Sequence, residues 1–299
     1  MKRRFAIFIL SHGRAESMTS LSAIREHGYT GAAYILVDNE DKQKQKYIDM
    51  YGESVIVFDK TQYSKNVDAC DNYDRRNSVV YARNYNFIVA KQMGVTHFLQ
   101  LDDDYTRFQL SLDGDDNYIT ADNKVVNLDA VMEHCLDFLD STRFRSVAFA
   151  QSGDFIGGAG GPKSGDSCSQ ILRLRRQGKI YRKAMNSFFF RTDRPVTFRG
   201  RVNDDVNLYV ECGRRGDLFG TIPQIRLTQP LTQVNSGGCT DIYREMGTYI
   251  KSFYSVMVAP SCVRIAFMGF KNKRIHHNVV WRNCCPVIID EKYRKPRAA

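Results

Sequence analysis

The chain contains no CxxC pair, no GxGxxG loop, no complete EF-hand loop and no apolar run long enough to cross a bilayer. Its eight cysteines lie scattered at 70, 135, 168, 212, 239, 262, 284 and 285, which argues against zinc-ribbon and dithiol redox chemistry. Thiols spaced in this way read as reduced side chains of a cytosolic protein. Lys2, Arg3 and Arg4 precede an apolar stretch, but that stretch ends at Leu10, short of a signal peptide, and nothing later approaches a membrane span. The expectation is a cytoplasmic protein without membrane contact. Gly157-Gly-Ala-Gly-Gly161 does not fit the dinucleotide-binding fingerprint and reads as a flexible loop near a ligand. Asp113-Gly-Asp-Asp-Asn117 lacks the glutamate of a calcium loop and reads as a surface turn.

Acidic residues are the other shortage, and it is local. Residues 1–150 hold 18 Lys or Arg against 22 Asp or Glu, whereas residues 151–299 hold 25 against 11, balances of −4 and +14. We therefore divide the chain at 150. A strongly basic half beside a mildly acidic one points to a polyanionic partner such as nucleic acid, although a solvated basic face has a similar composition. With 43% hydrophobic and 25% charged residues, 299 residues are enough for a large buried core.

What is present is ordered as strand and helix in alternation. Arg4 to Leu10 reads as a buried strand running into Ser11-His12-Gly13-Arg14 and a helix from Ala15 to His27, closed by Gly28. Ala33–Val37 is a second strand ending at Asp38; a polar helix over 42–51 and a third strand, Val55–Phe58, follow. Residues 60–78 form a polar loop, long enough to be functional or mobile. A helix from Val79 to Met93 places Arg83 near its start, where a cation can reach a phosphate or carboxylate. His97–Leu101 is the fourth strand, and it stops at Asp102-Asp103-Asp104. Such alternation predicts a doubly wound, parallel sheet whose ligands lie beyond the C-terminal strand ends, where Ser11–Arg14, Asp38 and the three aspartates all fall. One Asp would serve as a cap or an Asx turn. Three adjacent carboxylates repel one another unless something positive sits among them, which points to a metal ion or a nucleotide.

A helix over 128–139 and a strand over 146–150 complete the first half. Between Lys163 and Arg201 there are eleven basic residues and two acidic ones, Asp166 and Asp193, with Tyr181 and Phe188-Phe-Phe190 interspersed. Basic residues contact phosphates and exposed aromatics stack on bases, but at least two of the three Phe fit a buried strand better. Val202-Asn203-Asp204-Asp205 leads into an amphipathic helix through Glu211. One of its two acids fits an N-cap, and the second is available for another role. Asn235–Gly238 reads as a loop, residues 241–258 as a helix, and Lys271–His277 as a basic segment with adjacent histidines, His276 and His277. An imidazole could complete a metal shell begun by aspartates.

Taken in order, Ser11-His-Gly-Arg14, Val37-Asp38, Ala82-Arg83-Asn84, Leu101-Asp102-Asp103-Asp104, Asp204-Asp205 with Leu208, and His276-His277 resemble a GT-A glycosyltransferase. More narrowly they resemble the TET-associated glycosyltransferases, thought in bacteriophages to glycosylate hydroxymethylated pyrimidines in DNA. The resemblance runs from about Phe5 to Trp281. It implies a GT-A fold, α/β and Rossmann-like, with a mostly parallel central sheet flanked by helices. Residues 1–150 would be the nucleotide-sugar half, and residues 151–299 the acceptor-binding and catalytic half of the same domain. It implies that Ser11 and Arg14 border the nucleotide, that Asp38 binds its uracil or ribose, and that Arg83 faces the base or diphosphate. Asp102 and Asp104 match the outer acids of a DxD motif, near the ribose and on a divalent metal (Mn2+ or Mg2+), with Asp103 on the donor side and His276 or His277 as further metal ligands. Asp205 falls where inverting members place a general base. The family's usual Glu before that base is Asp204 here, and Asn207 replaces a further acid, so inversion and retention both stay open.

The leading expectation is transfer of a sugar from a UDP-sugar to 5-hydroxymethylcytosine in duplex DNA, gripped by basic residues within 163–201 and 271–297. If the gene is a phage's, the place is the host cytoplasm. The competing expectations are a GT-A enzyme with a glycan, lipid or protein acceptor, a metal-dependent nuclease, and a non-catalytic DNA-binding module.

Overall fold

A computed structural model describes residues 3–115, 117–119, 123–151, 183–229, 241–242, 245, 247, 250–268 and 273–285. Gly157–Gly161, Asn235–Gly238, residues 163–182 of the basic stretch, residues 271–272 and the tail from 286 fall outside that set.

The strands are β1 (Phe5–Leu10), β2 (Ala32–Asp38), β3 (Val55–Phe58), β4 (His97–Asp102), β5 (Arg107–Leu110), β6 (Phe144–Gln151), β7 (Ser187–Arg191) and β8 (Leu218–Thr228). They form one sheet in the order β3-β2-β1-β4-β7-β6-β8-β5. β1 pairs parallel with both β2 and β4, β2 with β3, and β6 with β8. β7 runs antiparallel between β4 and β6, and β5 antiparallel at the edge against β8. The architecture is thus α/β with a mostly parallel sheet, as the alternating pattern predicts. β7 and β8 from the second half complete a sheet begun by the first.

Both faces of the sheet are covered, and the pleat sorts side chains between them. In β1, Ala6, Phe8 and Leu10 enter one core cluster and Ile7 and Ile9 the other. Phe188 and Phe190 of β7 pack on the first side and Phe189 on the second, all three at 0% exposure. None of the Phe triplet is therefore available to stack on a base, because a central strand buried on two sides has no solvent face.

The helices are α1 (Ser20–Glu26), α2 (Lys44–Tyr51), α3 (Lys60–Tyr63), α4 (Val80–Gln92), α5 (Leu128–Ser141), α6 (Asp204–Gly213), α7 (Ile250–Val258) and α8 (Trp281–Cys284). β9 (Val263–Met268) and β10 (Arg274–Val279) make a separate antiparallel hairpin against α7. α1 begins five residues later than its periodicity predicts. The amide of Arg14 donates to the Tyr47 hydroxyl at 2.8 Å and that of Ala15 to Gln43 Oε1 at 2.9 Å, so side chains at the start of α2 hold the segment after Gly13 out of a helix. Gly28 ends α1 at φ +83, where a Cβ would lie 2.7 Å from the Val126 carbonyl oxygen.

The long polar stretch after β3 is anchored. Arg201, 2% exposed, donates to both oxygens of Asp71 at 2.7 Å and to the Tyr73 carbonyl at 3.0 Å. The Tyr254 hydroxyl of α7 adds a 2.6 Å bond to Asp71. This buried ion pair ties the stretch to both the entry of α6 and α7.

Candidate active site

From β1 the chain runs outward through β2 and β3 and then returns to the other side of β1 as β4. Ligands of open α/β sheets bind at such a reversal, beyond the carboxyl ends of the strands. Ser11–Arg14 follow β1 there, and Asp102–Asp104 end β4.

The three aspartates are not equivalent. Asp103, 4% exposed, accepts from Ser11 Oγ at 2.6 Å on one oxygen and from Arg14 Nη1 at 2.7 Å on the other. Tyr47 completes the chain with its hydroxyl 2.6 Å from Ser11 Oγ. The Asp103 carbonyl also receives the amides of Thr19 and Ser20 at 2.9 and 3.2 Å, stitching the turn to the start of α1. Asp103 thus holds the β1 and β4 tips together. Asp104 keeps a side chain 25% exposed, with Arg14 at 3.8 Å. Burial and the Asp103 charge push the Asp104 carboxyl above the usual range. For Asp102, burial and the neighbouring acids outweigh Arg83 and lift the carboxyl to about 7.

Arg83 is buried at the carboxyl end of β4, 2% exposed, with its guanidinium 5.2 and 5.6 Å from the ring centres of Phe188 and Phe198. Nη2 reaches Asp102 at 3.2 Å, and Nε approaches Asp204 to 2.6 Å without hydrogen-bond alignment. The buried Gln100 of β4 faces Nη1 at 3.3 Å and returns a bond to the Arg83 carbonyl at 3.2 Å. Burial opposes the Arg83 charge, but Asp102, Asp204 and Asp205 more than offset it and raise the guanidinium pKa further. Arg83 therefore links β4 to the start of α6, a role that its place near a helix start could not reveal.

Asp38 lies at the β2 tip but both oxygens are engaged, by His12 Nδ1 at 2.8 Å and by Lys60 Nζ at 2.8 Å. A ligand hydroxyl would have to share them. Lys60, 4% exposed, had no signal in the sequence; it sits in the first turn of a short helix inside a polar stretch. Burial raises the Asp38 pKa, but His12 and Lys60 win and the carboxyl is held below its usual range. The bond to Asp38, reduced by burial, raises that of His12. The stabilisation from Asp38 is complete above the unfolded carboxylate pKa and is lost as pH falls through its depressed value. That from His12 is complete below the unfolded imidazole pKa, and is lost as pH rises through its raised one. We expect His12→Gln to remove the alkaline part of the thermal-stability profile while the acid part remains, read as Tm against pH. An unchanged alkaline limb would exclude the pair from that role.

Asp204 and Asp205 occupy the first turn of α6, 7% and 8% exposed. Asn203 precedes them in the left-handed region, φ 56. Its side-chain amide donates to the Lys251 carbonyl at 2.8 Å and lies 3.2 Å from His277 Nδ1. Asp204 has its pKa raised by burial despite Arg83. Asp205 accepts from the Val206 amide at 2.7 Å and acts electrostatically on both Arg83 and Lys251. The start of α6 thus connects the aspartate cluster with the hairpin.

The adjacent histidines lie on β10, with His277 against Asn203 at the start of α6. His276 turns Nδ1 to the His277 carbonyl at 2.7 Å. The charged groups acting on His277 are His276, Lys251 and Lys183, none a carboxylate, and burial with these cations pulls it down to about 3. Among the described residues no three His, Cys, Asp or Glu side chains gather as a metal site. The protein offers Asp102 and Asp104, hard oxygen donors whose raised pKa values mark charge still uncompensated. That set suits a cation that takes one or two carboxylates and completes its shell with phosphate oxygens and water.

Among solved structures, the chain is similar to glucosyl-3-phosphoglycerate synthase from Mycobacterium tuberculosis in complex with Mg2+ and UDP. Identity is 10%, coverage 93% of this chain and 88% of that one, and the TM-score 0.49. The same enzyme with Mn2+ and UDP-glucose matches at 10% identity over 92% and 86%, TM-score 0.48. Curated protein sequences give no significant match. No helix among the described residues is long and apolar enough to cross a membrane. The model of the TET-associated glycosyltransferases matches residues 5–238, from the first residue of β1 past the end of β8 and through both aspartate clusters. With well over half its length matched, the chain belongs to the TET-associated glycosyltransferase family.

Proposed function

We propose that this glycosyltransferase moves a sugar from a UDP-sugar to 5-hydroxymethylcytosine in duplex DNA, using Mn2+ or Mg2+. The observation that carries the donor side is the uneven use of the aspartate triplet. Asp103 is neutralised by Arg14 and Ser11, while Asp102 and Asp104 keep raised pKa values even with both arginines in place. A divalent cation bound to Asp104 and Asp102 would neutralise charge on the departing diphosphate. Ser11, Arg14 and Asp103 shape the wall beside it, and His12 with Lys60 orients Asp38 toward the nucleoside. Asp205 accepts the proton of the acceptor hydroxyl, and Asp204 with Arg83 fixes the turn that presents it.

The acceptor side rests on charge. Residues 151–299 carry a balance of +14, and the chain belongs to a family described as TET-associated. A 5-hydroxymethyl group projects into the major groove, where a basic surface can approach it. Incubating hydroxymethylcytosine DNA with manganese and a panel of nucleotide sugars, with mass spectrometry of the nucleosides, tests the reading. The expected result is a pyrimidine heavier by one sugar, in a single donor lane. Transfer to a glycan, lipid or protein with none to DNA would overturn the acceptor assignment, and magnesium-dependent cutting of plasmid without a donor would favour a nuclease.

A further inference from the structure

The family match ends at residue 238, before α7 and the hairpin, and this last region has its own chemistry. From Met246 to Ile289 the sequence has no Asp or Glu and six Lys or Arg. Arg264, Lys273 and Arg274 are exposed on the hairpin. The same region exposes large apolar side chains: Phe267 at 74%, Met257 at 58% and Phe253 at 45%. A single exposed apolar residue is ordinary, but several beside an acid-free cationic strip mark a surface for an anionic partner with apolar faces. Nucleic acid has both, phosphates for the cations and base faces for the aromatic rings.

The register places this surface relative to the site. Phe267 pairs with Ile275 and Ile265 with His277. By the pleat these four side chains share one face, the two rungs about 7 Å apart along the strands. His277 lies 3.2 Å from the Asn203 amide, and Asn203 is followed directly by Asp204 and Asp205. Phe267 is therefore one rung beyond the contact that joins the hairpin to the entry of α6.

Resting on the reading of DNA as acceptor, we propose that the hairpin is a nucleic-acid subsite in which Phe267 stacks on an unstacked base of the acceptor duplex, near Asp205. Lys273, just before β10, holds a phosphate beside it, while Arg264 and Arg274, which the same pleat turns to the opposite face, add long-range attraction for the backbone. An anionic lipid surface would also meet cations and apolar side chains, but it has no reason to be aligned with the entry of α6.

The test is fluorescence anisotropy of a labelled hydroxymethylcytosine oligonucleotide with the full chain, beside steady-state transfer. Phe267→Ala is expected to weaken DNA binding about 5- to 100-fold and raise the DNA KM, with donor KM and the salt slope unchanged. Phe267→Trp is expected to restore binding. Lys273→Ala is expected to lower the salt slope by about one. Because Phe267 is exposed, circular dichroism should show all variants folded. DNA binding and KM unchanged in Phe267→Ala, while the wild type glycosylates DNA, would overturn this inference alone. Phe267-dependent binding to phosphatidylserine vesicles with Phe267-independent DNA binding would overturn it in favour of a membrane. Phe267-dependent DNA binding without sugar transfer to DNA would leave the subsite standing and overturn the acceptor reading.

Discussion

Asp104→Ala is expected to lower sugar transfer by about two to four orders of magnitude, the rate equivalent of several kcal/mol of lost leaving-group stabilisation. Asp103→Ala is expected instead to act mainly on the fold. Asp102 and Asp104 both keep partly open side chains, 27% and 25% exposed, but Asp102 has Arg83 at 3.2 Å whereas the cation nearest Asp104 is Arg14 at 3.8 Å. Asp103 spends its oxygens on Ser11 and Arg14, and removing it leaves Arg14, its side chain 14% exposed, without its closest counter-charge. Breaking a largely buried pair in this way costs about 3 kcal/mol. Initial rates against Mn2+ concentration, with urea unfolding of both variants, separate the two effects. Wild-type activity of Asp104→Ala in EDTA would remove the metal from the proposal. A loss of transfer in Asp103→Ala larger than that in Asp104→Ala, with the fold intact, would reassign the ligand.

Asp205→Asn is expected to reduce kcat about 10²- to 10⁴-fold, the usual size of general acid-base catalysis, with donor KM little changed. Asp204→Asn separates fold from chemistry. Asp204 is the 2.6 Å partner of an arginine that is 2% exposed, so loss of its charge leaves Arg83 with Asp102 as its remaining direct carboxylate contact. The expected cost is about 3–5 kcal/mol of stability, with part of the activity surviving below the melting temperature. Single-turnover rates at saturating donor measure the chemical step in both variants. If Asp204→Asn abolished that step in a folded enzyme while Asp205→Asn kept it, the two acids would exchange roles.

Much of the fold was legible because the chain alternates apolar runs of strand length with helical periodicity. Local pattern alone places Val55–Phe58 to the residue, and β2, α4 and β4 to within one residue at either end. Such elements rest on local periodicity. α1 starts later than its periodicity predicts because amides at 14 and 15 are taken by Tyr47 and Gln43, some thirty positions away. Neither partner is visible in a local pattern.

The site divides along the same line. The sequence alone determined that carboxylates stand at the end of a buried strand beside the segment after β1, since hydrophobicity and order suffice to put them at the sheet's switch point. It also determined that the second half is the basic one. Only the tertiary structure decided that Asp103 is a clasp while Asp102 and Asp104 stay partly open, that Arg83 is buried between β4 and the start of α6, and that His277 lies against Asn203 at that same helix start. It also decided that the three Phe residues of β7 are all core while Phe267 is bare. The physical reason is that strand periodicity says which side chains alternate but not what faces them. The partners that settle charge and exposure here come from about 20 to 120 residues away in the chain.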